Sequence, residues 1–152
     1  MKKLLLTVLL SMAATGFAAD IPAITQPTGS ERMDAARQAI ARGGWARAQL
    51  DLKVVVRDEP GNADAHNLLA YTYRKQEQPD LAKAFEHYKT ALKLNPQHKG
   101  AHEYIGEAYL MDRKPAMAEQ HLSDLEKICG NRQCEEYQDL AKALAAYRKA
   151  NP

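Results

Sequence analysis

The chain has 152 residues, with 21 lysines and arginines against 19 acids, seven prolines and two cysteines. Two of the basic residues, Lys2 and Lys3, fall in an N-terminal segment expected to be removed, which leaves 19 charges of each sign. A mature chain of no net charge lacks the basic stripe of a general nucleic-acid binder and the polybasic cluster that seeks an anionic membrane surface.

Met1 to about Ala19 has the layout of a secretory signal peptide. Lys2 and Lys3 make a short positive start, and Leu4 to Ala14 is apolar apart from Thr7 and Ser11. Gly16-Phe17-Ala18 then places a small residue at both positions a signal peptidase reads, so the mature chain is expected to start at Ala19 or Asp20. An uncleaved anchor is the weaker reading, because the apolar run falls short of the roughly 20 residues of a span. No cysteine stands near the cut to carry a lipid. After cleavage no second long apolar segment remains, so no membrane insertion is expected. The expected location is the periplasm, or outside the cell, of a bacterium.

Residues 20–29 hold two prolines and no periodicity and read as a flexible lead-in. From there to the C-terminus the composition is helical. Alanine, leucine, lysine, glutamine and glutamate are common, and no stretch alternates apolar with polar residues as a half-buried strand would. The apolar spacing and the turn residues predict helices over about 31–42, 45–58, 63–76, 80–94, 99–111, 115–129 and 134–149. Thr28 with Glu31 offers a capping box for the first, while Asn62 and His98 hold matching turn positions ahead of the third and fifth. Of Tyr71 and Tyr73, two apart on one helix, one is expected to pack and the other to face outward.

The segments repeat. Ala48, Leu52, Val55 and Pro60 return as Ala84, Tyr88, Ala91 and Pro96, and again as Ala118, Leu122, Leu125 and Gly130. His66, Leu69, Ala70 and Tyr73 return as His102, Ile105, Gly106 and Tyr109. The period is near 34 residues, with two extra residues around Gln76 to Gln78. In these positions the chain resembles the tetratricopeptide-repeat (TPR) family from about Ser30 to Gly130. The resemblance implies an all-α solenoid of three helix-turn-helix pairs, about 30–62, 63–98 and 99–133. Residues 134–152 supply a C-terminal capping helix, with Tyr137, Leu140, Ala141, Leu144 and Tyr147 on one apolar stripe.

The resemblance also implies a function. The first helix of each TPR pair lines a hollow face that holds a protein or peptide. Mapped by the family pattern, that face carries Met33 and Arg37, then Asp64, Asn67, Tyr71, Arg74 and Lys75, then Glu103, Glu107, Leu110 and Met111. Tyr71 offers an aromatic anchor, and Asn67 both a donor and an acceptor for an extended backbone. Arg74 and Lys75 favour an acidic group, whereas Glu103 and Glu107 disfavour one. The lysine, asparagine and arginine set with which some TPR domains grip a terminal carboxylate is not reproduced, and the mixed field suits a partner carrying both signs.

Cys129 and Cys134 flank the turn before the capping helix. In an oxidising compartment a disulfide is the default, its task being to fix the angle at which the cap docks. The spacing of four excludes a Cys-x-x-Cys motif, and a zinc site would need two further ligands. A redox-active pair with this longer spacing stays open. His98 and His102 are four apart, but His102 stands at the large packing position that His66 holds one unit earlier. Met111, Met117 and His121 invite a copper reading, against which methionine packing is the commoner use. No ligand set is completed, so neither metal nor cofactor is expected. The only serines after the signal segment, Ser30 and Ser123, lie in no nucleophile motif, and no phosphate-binding glycine loop is present. An enzyme is therefore not expected. The alternative to an interaction module is a periplasmic metal or redox accessory protein using the cysteine pair or the methionine–histidine group.

Overall fold

A computed structural model describes residues 25–152; the expected signal peptide and residues 20–24 of the lead-in lie outside the described residues. Thr28 starts the first helix. Its hydroxyl accepts from the Glu31 N–H while the Glu31 carboxylate accepts from the Thr28 N–H, the reciprocal capping box. The helix, α1, runs Gly29–Ala41 and is followed by α2 (Trp45–Asp58), α3 (Ala63–Lys75) and α4 (Leu81–Leu94). Then come α5 (Lys99–Met111), α6 (Pro115–Cys129) and α7 (Glu135–Ala150). Among the described residues there is no strand, and no helix is long and apolar enough to cross a membrane.

Each boundary has a local cause. Asn62 caps α3 by accepting from the Ala65 N–H, and Asp80 caps α4 through the Lys83 N–H. His98 caps α5 with Nδ1, which accepts from the Ala101 N–H. Pro60 and Pro96 follow the ends of α2 and α4, where proline cannot continue a helix. Gly130 closes α6 in the left-handed region at φ 70°, which costs glycine nothing. The turns inside the first and third pairs, 42–44 and 112–114, have three residues each, while 76–80 has five. The two additional residues around Gln76 to Gln78 are thus absorbed by the turn.

Small residues let the helices close up. Ala36, Ala48, Ala65, Ala84, Ala101 and Ala118 are all fully buried. Leu52, Leu69, Tyr88 and Ile105 fill the space between them in one continuous core running from α1 to α5. A second cluster joins Leu110, Ala118 and Leu125 to Leu140 and Leu144 of α7. α7 therefore covers the last open pair, packing on both α5 and α6. It comes closest at Gly106, where an added Cβ would lie 2.6 Å from Leu140 Cδ2.

Candidate functional site

The first helices of the second and third pairs touch, α3 meeting α5, and the capping helix α7 packs on α5 in turn. The second helices α2, α4 and α6 make no comparable contacts with one another. The stack is thus tighter along the α3–α5–α7 side, and tighter spacing on one side makes that side the inner face.

Arg74 stands at the centre of this face. Its side chain is only 6% exposed and reaches Glu107 Oε2 at 2.6 Å, while its Nε donates to the Tyr88 hydroxyl at 3.3 Å. The guanidinium also lies over the rings of Tyr71 and Tyr104, at 5.3 and 5.6 Å from their centroids. Those two rings sit 4.8 Å apart, and Trp45 meets Tyr71 edge-on at 6.0 Å. Burial opposes the charge of Arg74, but Tyr88, Glu107 and Tyr71 together outweigh it and hold its pKa above the ordinary value. Arg74 therefore works inside the fold as the tie between α3, α4 and α5. That differs from the sequence expectation of a cation waiting for an acidic ligand, because the family pattern assigns a face and says nothing of what already occupies it.

Beside this tie lies an open cavity of about 430 Å³, lined by Arg74, Glu107, Leu110, Met111, Ala143 and Tyr147. Leu110 is buried in its wall and Met111 stands out, 45% exposed. Glu103 lies on the next stretch of α5, buried and with no ion-pair partner among the described residues. Burial pushes its carboxyl up to about 8, with Glu107, Asp139 and Glu136 adding to the rise and Arg74 opposing it. Its unfolded value is the ordinary 4.5. Stability contributed by neutral Glu103 is thus full below 4.5 and is lost as pH rises through about 8. Thermal melts from pH 6 to pH 9 are expected to show a falling midpoint, and Glu103→Gln should flatten that slope. An unchanged slope in the variant would place the titration elsewhere.

The remaining expected residues separate. Asn67 is buried with Oδ1 unpartnered, its Nδ2 packed near Gly100 at the start of α5, so it is poorly placed to meet a backbone from outside. Lys75 is exposed. Arg37 lines a different, polar cavity with Asp34, Glu59 and Asp64. Met33 belongs to the core. Of the tyrosine pair, Tyr73 is buried and Tyr71 half-buried. Tyr104 completes the aromatic platform and was not among the expected site residues, since the family pattern gives its position no role. The sulfurs of Cys129 and Cys134 lie at disulfide distance, with Cα atoms 6.2 Å apart.

A second arrangement recurs along the seam of the second and third pairs. His66 Nδ1 lies 3.0 Å from His87 Nδ1, and His66 Nε2 lies 3.2 Å from the Pro60 carbonyl. His102 makes the same contacts with His121 at 3.0 Å and the Pro96 carbonyl at 2.9 Å. Tyr73 stacks on His87 and Tyr109 on His121.

No family model matches the chain, and no curated protein matches it. Solved structures do match in fold. The Yersinia enterocolitica type III secretion translocator chaperone SycD superposes with a TM-score of 0.68 at 15% identity, covering 84% of this chain and 94% of that one. The first TPR domain of human RPAP3 superposes with a TM-score of 0.66 at 16% identity, covering 80% and 96%. The fold is thus an all-α solenoid of TPR-type helix pairs closed by a capping helix.

Proposed function

We propose that this chain is an exported interaction module whose inner face holds a protein or peptide partner in the groove between α3, α5 and α7. The observation that carries the reading is the half-open platform of Tyr71 and Tyr104 beside the cavity in which Met111 stands exposed. Aromatic side chains supply contact area at low entropic cost, and both aromatics and methionine are enriched at protein interfaces. Because Glu107 already neutralises Arg74 and burial keeps Glu103 protonated below about pH 8, the charge left over comes from Glu136 and Asp139, with Lys142 nearby. The groove therefore favours a partner segment bearing a basic residue next to an apolar one, a shift from the balanced partner that the sequence implied. Similar folds belong to a secretion chaperone and to a TPR domain, which supports interaction over catalysis.

Capture of partners from a cell-envelope extract tests the groove. Met111→Glu is expected to release a captured partner with little change in the melt, because the side chain is exposed. Tyr71→Ala should weaken capture by about 2 kcal/mol or more. Lys89→Ala on α4 is exposed and outside the groove, and should do neither. Equal loss in the control, or normal capture by both groove variants, would move the contact to another surface.

Export rests on the N-terminal segment and on the cysteine pair. The exported protein is expected to begin at Ala19 or Asp20, with neither Cys129 nor Cys134 blocked by an alkylating reagent before reduction. An intact Met1 and two labelled thiols on mass analysis would remove this part of the reading.

A further inference from the structure

We propose that His102, His121 and Asp124 form a binding site for a divalent transition-metal ion, zinc being the best fit, on the seam between α5 and α6. The ligand atoms of the three side chains all lie within 4.8 Å of one another. Two imidazole nitrogens and a carboxylate oxygen make a set that suits zinc, with one position left for water. Two nitrogens each about 2.0 Å from one tetrahedral ion sit roughly 3.3 Å apart. His102 Nδ1 and His121 Nδ1 are 3.0 Å apart and need to move little.

The orientation of the first ligand is already fixed. His102 Nε2 faces the Pro96 carbonyl at 2.9 Å, so that nitrogen carries the proton and Nδ1 presents a lone pair. A metal-bound histidine is commonly held in this way, by donating its other ring N–H to a carbonyl. Asp124 lies one turn beyond His121 on α6, which puts both on one face of the helix. Its Oδ1 accepts from Lys127 at 3.0 Å, leaving the second oxygen for an ion. An open cavity of about 360 Å³, bounded by Leu92, Pro96, His102, Asp124, Lys127 and Ile128, opens two of the three side chains to solvent.

The molecule contains its own comparison. The His66–His87 pair has the same 3.0 Å Nδ1–Nδ1 separation, the equivalent proline carbonyl and the equivalent stacked tyrosine. At the place of Asp124, however, it has Thr90, whose hydroxyl donates to the Glu86 carbonyl. The histidine pair alone is therefore a packing device of the repeat. The carboxylate makes one of the two copies a three-ligand site.

The test uses untagged mature protein with its disulfide intact, so that no thiol supplies a ligand. Zinc chloride is titrated against a competing chelator, and thermal melts are recorded with and without zinc. The wild type is expected to bind one equivalent and to melt at higher temperature with zinc, since an ion that binds only the folded chain stabilises it. Asp124→Asn keeps the shape of the side chain and should weaken binding by roughly tenfold or more. Thr90→Asp should add a second equivalent. No zinc bound by the wild type, equal affinity in Asp124→Asn, or no second equivalent in Thr90→Asp would each overturn the proposal.

Discussion

Arg74→Ala is expected to destabilise the protein by about 3 kcal/mol, near the lower end of the range for breaking a buried ion pair from one side. The low end applies because Glu107 keeps 26% of its side chain in solvent. The loss has several parts. Glu107 becomes an unpaired anion close to Glu103, and the buried Tyr88 hydroxyl loses its donor. Tyr71 and Tyr104 lose the cation between them and the packing of its stem. Glu107→Gln should cost less, because Arg74 retains Tyr88 and both rings. Denaturant melts of the two variants measure the difference. Equal losses would mean that the ion pair dominates and the aromatic contacts add little.

The second large effect falls at the cap. Leu140→Ala removes a side chain that is wholly buried against Gly106, and about 2–5 kcal/mol is expected for such a cut. Gly106→Ala brings a methyl into the space that Leu140 fills, so overpacking opposes the usual gain of alanine over glycine in a helix. With Leu140→Ala already in place, that methyl enters an emptied site. The double variant is therefore expected to be more stable than the sum of the single changes predicts. Strict additivity in a double-mutant cycle would show that α7 does not rest on Gly106.

The helices were legible in the sequence because their ends are written in residues with strong local preferences. Pro60, Pro96 and Gly130 stop α2, α4 and α6, and Thr28, Asn62 and His98 begin α1, α3 and α5. The buried alanines could be read from their spacing. The state of the site residues was harder to read. Burial of Asn67 and Met33, and the commitment of Arg74 to Glu107, depend on how far α3, α5 and their neighbours approach, and a repeat pattern does not encode that distance. Tyr104 stands at a position to which the repeat pattern gives no role, yet its ring faces Arg74. The histidine pairs did leave a signal. His87 precedes Tyr88 as His121 precedes Leu122, each three residues after the small alanine of its helix. His66 and His102 were already recognised as packing residues, so matching the two lists would have found the pairs.

The five-residue turn at 76–80 carries a practical consequence. His66 and His87 are 21 residues apart, and His102 and His121 are 19 apart, yet both pairs close to the same 3.0 Å. The additional length leaves no trace in the helix register on either side. Glu77, Gln78 and Pro79 are exposed, and the Asp80 N–H bonds back to the Tyr73 carbonyl to seal the base of the loop. Loop-closure entropy rises slowly with length. A fluorescent label, an epitope or a short grafted peptide between Glu77 and Gln78 would therefore sit on a solvent-facing bridge that leaves the helix register intact. The molecule could then be followed in the cell with its groove and its cap left as they are.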